Sequence, residues 1–155
     1  MSYKELEKVL KRSSTSRRTR SKKSPPLETS LWRLLNQSLL KSNREIETTR
    51  LESWATPGVP DVVCCNERGE FTFLELKIVK RNKANLSPHQ IAWMSRHAHA
   101  NVFVVTLDTD MGINVYNGGD ATALCVDGVA AVPVLASFEK PYDWSSFWNL
   151  TCGES

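Results

Sequence analysis

The sequence predicts an α/β domain in which helices cover a central β-sheet. Three apolar stretches have the length of strands, at 62–65, 71–79 and 102–107. Two amphipathic helical patterns accompany them, one over 27–41 and one over 87–98. The long stretch at 71–79 is apolar on both faces, which is typical of a strand buried between helical layers.

Charge divides the 155-residue chain into two parts. Residues 1–24 contain nine Lys or Arg and two acids, a net charge of +7, whereas residues 25–155 contain eleven and fifteen, a net charge of −4. We therefore predict a basic, flexible N-terminal arm over 1–24 and one folded domain over 25–155. The arm is either a solubilising tail or an anchor for nucleic-acid phosphates, and the second interpretation assigns contacts to Arg17, Arg18, Arg20, Lys22 and Lys23.

Composition also bears on the compartment. No apolar run is long enough to span a membrane, and the N-terminus lacks the apolar core of a signal peptide. The four cysteines have no zinc-like spacing, so we expect reduced thiols. These observations favour a cytoplasmic protein with no membrane partner.

The first helix is predicted over 27–41, after Pro25-Pro26. Its apolar residues cover one arc, and Glu28 falls near the middle of that arc. An acid in a first turn is favoured by the helix dipole alone, by a few tenths of a kcal/mol. Its position on the apolar stripe favours a carboxylate that faces the sheet, with the acids at 45, 47 and 52 as competitors for that role.

Two carboxylates are predicted to oppose each other on the next two strands. If the turn at 66–70 pairs Cys65 with Phe71, then Asp61 comes opposite Glu75, and Lys77 shares the face of Glu75. Opposed carboxylates repel unless a cation lies between them, and Mg²⁺ suits such oxygen ligands. A surface ion pair beside a turn-capping Asp61 is the alternative, but the apolar surroundings favour a functional site.

Basic and polar residues follow these strands. Lys80, Arg81 and Lys83 form a predicted loop that is either a solvated connection or a set of phosphate contacts. Ser87-Pro88-His89-Gln90 opens a helix to about residue 98, with a capping box that already explains Gln90. A supporting role for Gln90 in the site is an additional hypothesis.

The remaining elements complete the α/β pattern. We predict strands over 102–107 and 112–117, a short helix over 120–127, a strand over 130–135 and a terminal helix over 143–150. The aromatic residues of the terminal helix are interpreted as core or a dimer surface.

The full order of these pieces resembles the PD-(D/E)xK nuclease superfamily. A helix with Glu28 precedes Gly58-x-Pro60-Asp61, which is followed by Glu75-x-Lys77, by Ser87-x-x-Gln90 on a helix, and by a strand. Within the superfamily the chain looks most like small VRR-NUC and Holliday-junction-resolvase-like nucleases, which are often phage-encoded. The resemblance covers roughly residues 27–117 and implies a restriction-endonuclease-like core with a central mixed β-sheet.

The resemblance also implies roles for individual residues. Asp61, Glu75 and the carbonyl of Leu76 are expected to bind Mg²⁺ or Mn²⁺, and Lys77 to orient or help deprotonate the attacking water. Glu28 takes the place of the helix acid that contacts the metal or its water, and Gln90 supports the site. The implied protein is a Mg²⁺-dependent endonuclease acting on DNA, in the host cytoplasm if it is phage-encoded.

Several alternatives stay open at the level of sequence. The substrate is a junction, a nicked site or a specific duplex sequence, since homing and restriction-type enzymes share the same core. A noncatalytic nucleic-acid-binding module of the same fold and an RNA-processing nuclease are the competing functions. A homodimer is plausible because cutting two strands symmetrically requires two sites.

Overall fold

In the computed structural model, which describes residues 27–52 and 55–153, helices flank a mixed β-sheet. The predicted class, a central mixed sheet with helices on its sides, is therefore confirmed. The elements, in chain order, are α1 (Glu28–Leu40), β1 (Glu47–Arg50), β2 (Val62–Cys65), β3 (Phe71–Lys80), β4 (Lys83–Ala84), α2 (Pro88–Arg96), β5 (Val102–Leu107), β6 (Ile113–Asn117), α3 (Ala121–Val126), β7 (Ala136–Phe138) and α4 (Trp144–Cys152).

The long strand β3 forms the middle of the sheet. Within the described residues the strand order is β1-β2-β3-β5-β6-β7, and β4 pairs with the end of β3. β3 runs antiparallel to β2 and parallel to β5. The register joins Cys65 to Phe71 and Val62 to Leu74. This is the predicted register, and it brings Asp61, the residue before β2, opposite Glu75.

Two apolar clusters cover the two faces of the sheet. Leu74 and Leu76 of β3 belong to the cluster that includes residues of α1 and α4. Phe73 packs on the other cluster, which includes residues of α2 and α3. Because strand side chains alternate between faces, Glu75 and Lys77 lie on the face of Phe73, below α2.

Aromatic side chains anchor the terminal helix α4. Phe147 is completely buried and Trp148 is 1% exposed, so their assignment to the core is confirmed. The indole N–H of Trp148 donates to Ser38 Oγ of α1 over 2.8 Å. This bond ties α4 to α1 on the face of the sheet opposite α2.

Three predictions about local structure are wrong. No strand forms over 130–135: a 3-10 turn covers Val129–Ala131, and β7 begins only at Ala136. The stretch at 80–83 is a two-residue hairpin turn between paired Lys80 and Lys83 rather than an open loop. The helical pattern also predicted a core stripe of Ile91, Met94 and Ala98, but helix α2 ends at Arg96 and Ala98 is exposed.

Candidate active site

The hairpin of β2 and β3 brings the predicted site residues together. Asp61 Oδ2 accepts a hydrogen bond from the backbone N–H of Leu76 over 2.9 Å. On β3, Lys77 Nζ lies 3.1 Å from Glu75 Oε1. The N–H and C=O of a strand residue leave the same edge, so the carbonyl of Leu76 also faces the side of Asp61. Asp61, Glu75, Leu76 and Lys77 therefore form one cluster, as their order in the sequence predicted.

Glu75 is the unusual member of this cluster because it is an acid with no exposed surface. Its Oε1 contacts Lys77 Nζ and accepts a hydrogen bond from Gln90 Nε2. Its other oxygen, Oε2, is buried and has no hydrogen-bond partner within the described part of the chain. Leaving a buried polar atom unpaired costs about 1–3 kcal/mol, and more for a charged group. This atom is therefore a position at which a ligand would be stabilising.

The pKa values of Glu75 and Asp61 are both raised, and burial is the main cause. Burial, supported by the charges of Asp61 and Glu28, raises the pKa of Glu75 to about 8 although Lys77 acts to lower it. Burial also raises the pKa of Asp61 above its ordinary value, against the opposing effects of the Leu76 N–H and Lys77. Three carboxylates thus surround one ammonium, and the cluster favours an additional cation or proton.

The same carboxylates keep Lys77 charged. Burial on its own lowers the pKa of Lys77, but the attraction of Glu75 and then of Glu28 outweighs it, and the pKa is raised overall. Only 12% of the Lys77 side chain is exposed. Lys77 is therefore a protonated, largely desolvated cation at the edge of the cluster.

Gln90 links the helical layer to the site. Its Oε1 accepts from the backbone N–H of Ser87 over 2.8 Å, and Ser87 Oγ accepts from the N–H of Gln90, so the predicted capping box is present. Its Nε2 donates to Glu75 Oε1. The amide therefore serves both the helix start and the buried carboxylate, and it fixes the orientation of Glu75.

Glu28 reaches the cluster from the other layer of the fold. Its Oε1 lies 3.4 Å from Lys77 Nζ, and 46% of its side chain is exposed. The position of Glu28 on the apolar stripe predicted a side chain buried against the sheet. Instead, Glu28 lies at the margin of the site.

A cleft of about 310 Å³ opens beside this margin. It provides space for a substrate group next to the ammonium of Lys77. Thr29 and Asn85 were not predicted as site residues, and no motif in the sequence marks them. The cleft is lined by Leu27, Glu28, Thr29, Lys77, Ile78, Lys80 and Asn85.

A close backbone contact positions the segment before Asp61. Gly58 has a φ of +92°, and a Cβ at this position would lie 2.2 Å from the carbonyl oxygen of His89. The turn that leads into Asp61 therefore packs directly on the first turn of α2, which carries Gln90. The sequence marked Gly58 only as the first residue of Gly58-x-Pro60-Asp61, because the contact depends on how α2 lies over the sheet.

The predicted nucleic-acid contacts divide into two groups. Lys80, Arg81 and Lys83 are exposed, and Lys80 lines the cleft beside the cluster. The arm residues Arg17, Arg18, Arg20, Lys22 and Lys23 lie outside the described residues.

Other features qualify what the site can bind. Among residues 27–52 and 55–153, no three His, Cys, Asp or Glu side chains form a ready-made metal cage. A larger cleft, of about 610 Å³, lies near the turn at 66–68 and the end of α4, and none of the predicted site residues lines it. It carries none of the cluster's chemistry.

In the same described ranges no helix has the length and apolar character needed to cross a bilayer.

Comparison with known proteins finds similarity among solved structures. No family model matches the chain, and no curated protein matches it. Among solved structures the chain is similar to Hjc, a Holliday junction resolvase from the archaeal hyperthermophile Archaeoglobus fulgidus. The two are 21% identical, and the similarity covers 58% of this chain and 76% of that chain with a TM-score of 0.44. Similarity of this extent does not assign an activity, so the functional argument depends on the geometry of the cluster.

Proposed function

We propose that this chain is a metal-dependent endonuclease that hydrolyses phosphodiester bonds in DNA, with a PD-(D/E)xK site. The observation that carries the proposal is the buried carboxylate of Glu75, whose unpartnered Oε2 lies in a cluster with Asp61 and the ammonium of Lys77. An acid in this setting is expensive to keep ionised unless it binds a cation.

The donor set suits Mg²⁺ or Mn²⁺. Asp61, Glu75 and the carbonyl of Leu76 offer only oxygen, and Glu28 lies at the margin, where it would contact the ion through water. Two carboxylates and a carbonyl are fewer than six ligands, but Mg²⁺ commonly keeps several waters and does not require a cage of protein side chains. A bound ion of this kind lowers the pKa of its water and offsets the charge of the phosphate.

The protein's own residues supply positioning and charge. Gln90 holds Glu75 by its Oε1 and leaves Oε2 available. Lys77, whose pKa is raised, stays protonated at neutral pH, so it suits stabilisation of phosphate charge and orientation of water better than proton abstraction. The cleft beside Glu28 and Lys77 is open enough to admit a phosphodiester.

The nuclease proposal includes further expectations about the reaction. The expected products carry a 5′-phosphate and a 3′-hydroxyl, as the superfamily resemblance implies. The substrate is a branched junction, a nicked site or a specific duplex, and a homodimer would place two sites on opposite strands. We expect the protein to act in the cytoplasm.

Cleavage of a labelled panel tests the proposal. The panel holds supercoiled plasmid, linear duplex, single strand, four-way junction and RNA, each with Mg²⁺, with Mn²⁺ and with EDTA. We expect cutting of a DNA member only with metal, and its loss in Asp61→Asn but not in the exposed control Asp110→Asn. Preferred cutting of RNA would instead indicate an RNA-processing nuclease. DNA binding without cutting of any member would favour the noncatalytic module.

A further inference from the structure

The hairpin turn between β3 and β4 holds two residues in a conformation that side chains rarely adopt. Lys80 pairs with Lys83, and the turn residues Arg81 and Asn82 have φ values of 51° and 61°. Two successive left-handed residues match the twist of a tight hairpin, but the turn usually relies on Asn or Gly. Arginine in this region is strained, because its Cβ lies too close to the following carbonyl oxygen. The surrounding structure must therefore hold the turn in place.

A segment after α3 provides that support. Asn82 is braced twice, since its carbonyl accepts from the N–H of Val129 over 2.9 Å and its Oδ1 accepts from the N–H of Ala130 over 3.0 Å. Gly128, with a φ of +96°, packs so closely that a Cβ there would lie 2.5 Å from Asn82 Nδ2 and 2.7 Å from its carbonyl oxygen. The turn is thus fixed by backbone and side chain from one side.

The braced turn presents three cations without counterions. Lys80, Arg81 and Lys83 are exposed, and none of them forms an ion pair or side-chain hydrogen bond with the residues that the structure describes. Lys80 also lines the cleft beside Glu28 and Lys77. A local charge of +3 therefore lies on a hairpin whose first cation, Lys80, borders the cleft beside the carboxylate cluster. Such a pattern attracts a polyanion to the edge of the site and keeps its phosphates near the ammonium of Lys77.

From this arrangement we propose that the β3–β4 hairpin is a preformed clamp for the sugar-phosphate backbone of duplex DNA, and that Asn82 is the positioning residue that keeps its cations in place. The proposal rests on the proposed nuclease function and adds the surface that holds the substrate across the cleft. Cationic side chains that project from a backbone already held in place lose less conformational entropy on binding than those on a flexible loop.

The test measures DNA binding apart from cleavage. The full chain is titrated into a fluorescent duplex in EDTA over a range of salt concentrations, and anisotropy gives the dissociation constant. Two variants remove the same charge: a clamp triple, Lys80→Ala, Arg81→Ala and Lys83→Ala, and a control triple, Arg33→Ala, Lys41→Ala and Arg96→Ala, at exposed positions on α1, directly after α1 and on α2. We expect the clamp triple to lower the salt slope by up to about 2.7 for three phosphate contacts, and the control triple to lower it far less. Equal slopes for the two triples would overturn the clamp.

Asn82→Gly tests the brace without changing charge. Glycine accepts the same φ and retains the backbone carbonyl, so only the Oδ1 bond to Ala130 is lost. We expect affinity to fall by about threefold to tenfold with the salt slope retained, because the same cations must be ordered on binding. Gly128→Ala, which crowds Asn82 from the same supporting segment, should act in the same direction. Thermal melting of both variants checks that they are folded at the temperature of the assay.

The outcomes separate the clamp from the nuclease assignment. Wild-type affinity in folded Asn82→Gly would overturn the positioning role of Asn82. If the wild-type protein cleaves DNA but the clamp and control triples bind DNA alike, the nuclease proposal stands and the clamp proposal is wrong. If the wild-type protein neither binds nor cleaves DNA, both proposals are wrong.

Discussion

At the scale of single residues, Glu75 is an acid that the fold buries completely, at a cost to its ionised form. Glu75 has no exposed surface, one oxygen shared by Lys77 and Gln90, and one oxygen without a partner. An ion pair in this position is weak evidence for stability, because desolvation offsets most of the attraction. The arrangement is better explained by ligand binding than by folding.

The raised pKa of Glu75 predicts a pH dependence of stability in metal-free buffer. Because its pKa is about 8 in the folded protein and ordinary in the unfolded chain, the folded state holds an extra proton between about pH 4.5 and 8. The resulting stabilisation is complete below about pH 4.5 and is lost as the pH rises through 8. One pKa unit is worth about 1.4 kcal/mol, so the free energy of unfolding should fall by a few kcal/mol.

Urea unfolding of wild type and Glu75→Gln at pH 5 and pH 9, both in EDTA, measures this dependence. The variant cannot titrate at residue 75, so it should lose clearly less stability than wild type over the same range. Identical changes in the two proteins would show that Glu75 is ionised in the folded state throughout.

Lys77 is predicted to act on the transition state more than on substrate binding. Lys77→Met keeps most of the side-chain volume and removes the charge, so cleavage should slow by about two orders of magnitude, the usual cost of losing one electrostatic contact. The loss should appear in kcat with little change in KM. Lys41→Met, at an exposed position directly after α1, is the matched control. Turnover at the wild-type rate in Lys77→Met would exclude Lys77 from the chemistry.

Sequence reasoning found these residues where local spacing determines contact. The five-residue turn set the register of β2 on β3, and that register alone brought Asp61 opposite Glu75. The second role of Gln90 was only a hypothesis, because a capping box explains Gln90 without any reference to β3. The bond to Glu75 arises from the docking of α2 on the sheet, a long-range event that has no local signature.

At the scale of elements, the entry to β2 and the start of α2 form one packed unit. Gly58 and Gly69 both have positive φ, +92° and +74°, but only Gly58 is crowded: a Cβ there meets the backbone of His89, whereas nothing lies within 4 Å of one at Gly69. Comparing Gly58 with Gly69 therefore distinguishes the cost of a left-handed backbone from the cost of a steric clash.

Alanine substitutions at these two glycines should have different consequences. Gly69→Ala should cost only the left-handed strain, about 1–2 kcal/mol. Gly58→Ala should cost more, and it should also reduce cleavage in the folded fraction, because relief of the clash moves either Asp61 or the turn that carries Gln90. Chemical denaturation and single-turnover cleavage measure the two effects. Equal destabilisation, with full activity in both variants, would contradict the packing argument.

The elements that sequence reasoning missed have simple physical causes. The run over 130–135 is rich in β-branched and apolar residues, but Pro133 has no N–H to donate to a ladder. Val134 and Leu135 are 45% and 46% exposed, and pairing with β6 is established only from Leu135 onward. At 80–83, Arg-Asn is an uncommon pair for a tight hairpin turn, so a polar loop was the natural expectation.

At the scale of the whole molecule, charge is separated along the chain. Residues 1–24 have a net charge of +7, and residues 25–155 a net charge of −4. A domain with a net negative charge needs local sources of positive charge to bind a polyanion. Three such sources are the hairpin cations, the predicted arm and a bound divalent ion.

Deletion of residues 1–24 tests the contribution of the arm. DNA affinity should fall most at low salt, and the dependence of log affinity on log salt should become shallower because fewer counterions are released. Anisotropy titrations of the full and truncated chains between about 50 and 200 mM salt provide the comparison. An unchanged slope would show that the arm is not an electrostatic anchor.

The central claim is that the unpartnered carboxylate of Glu75 binds a divalent ion. The most direct measurement is a titration with Mn²⁺, in which electron paramagnetic resonance counts the free ion, for wild type, Glu75→Gln and the exposed control Glu70→Gln on the β2–β3 turn. The account predicts that wild type and the control bind equally and that Glu75→Gln binds at least about tenfold more weakly. Equal Mn²⁺ affinity in all three proteins would contradict it.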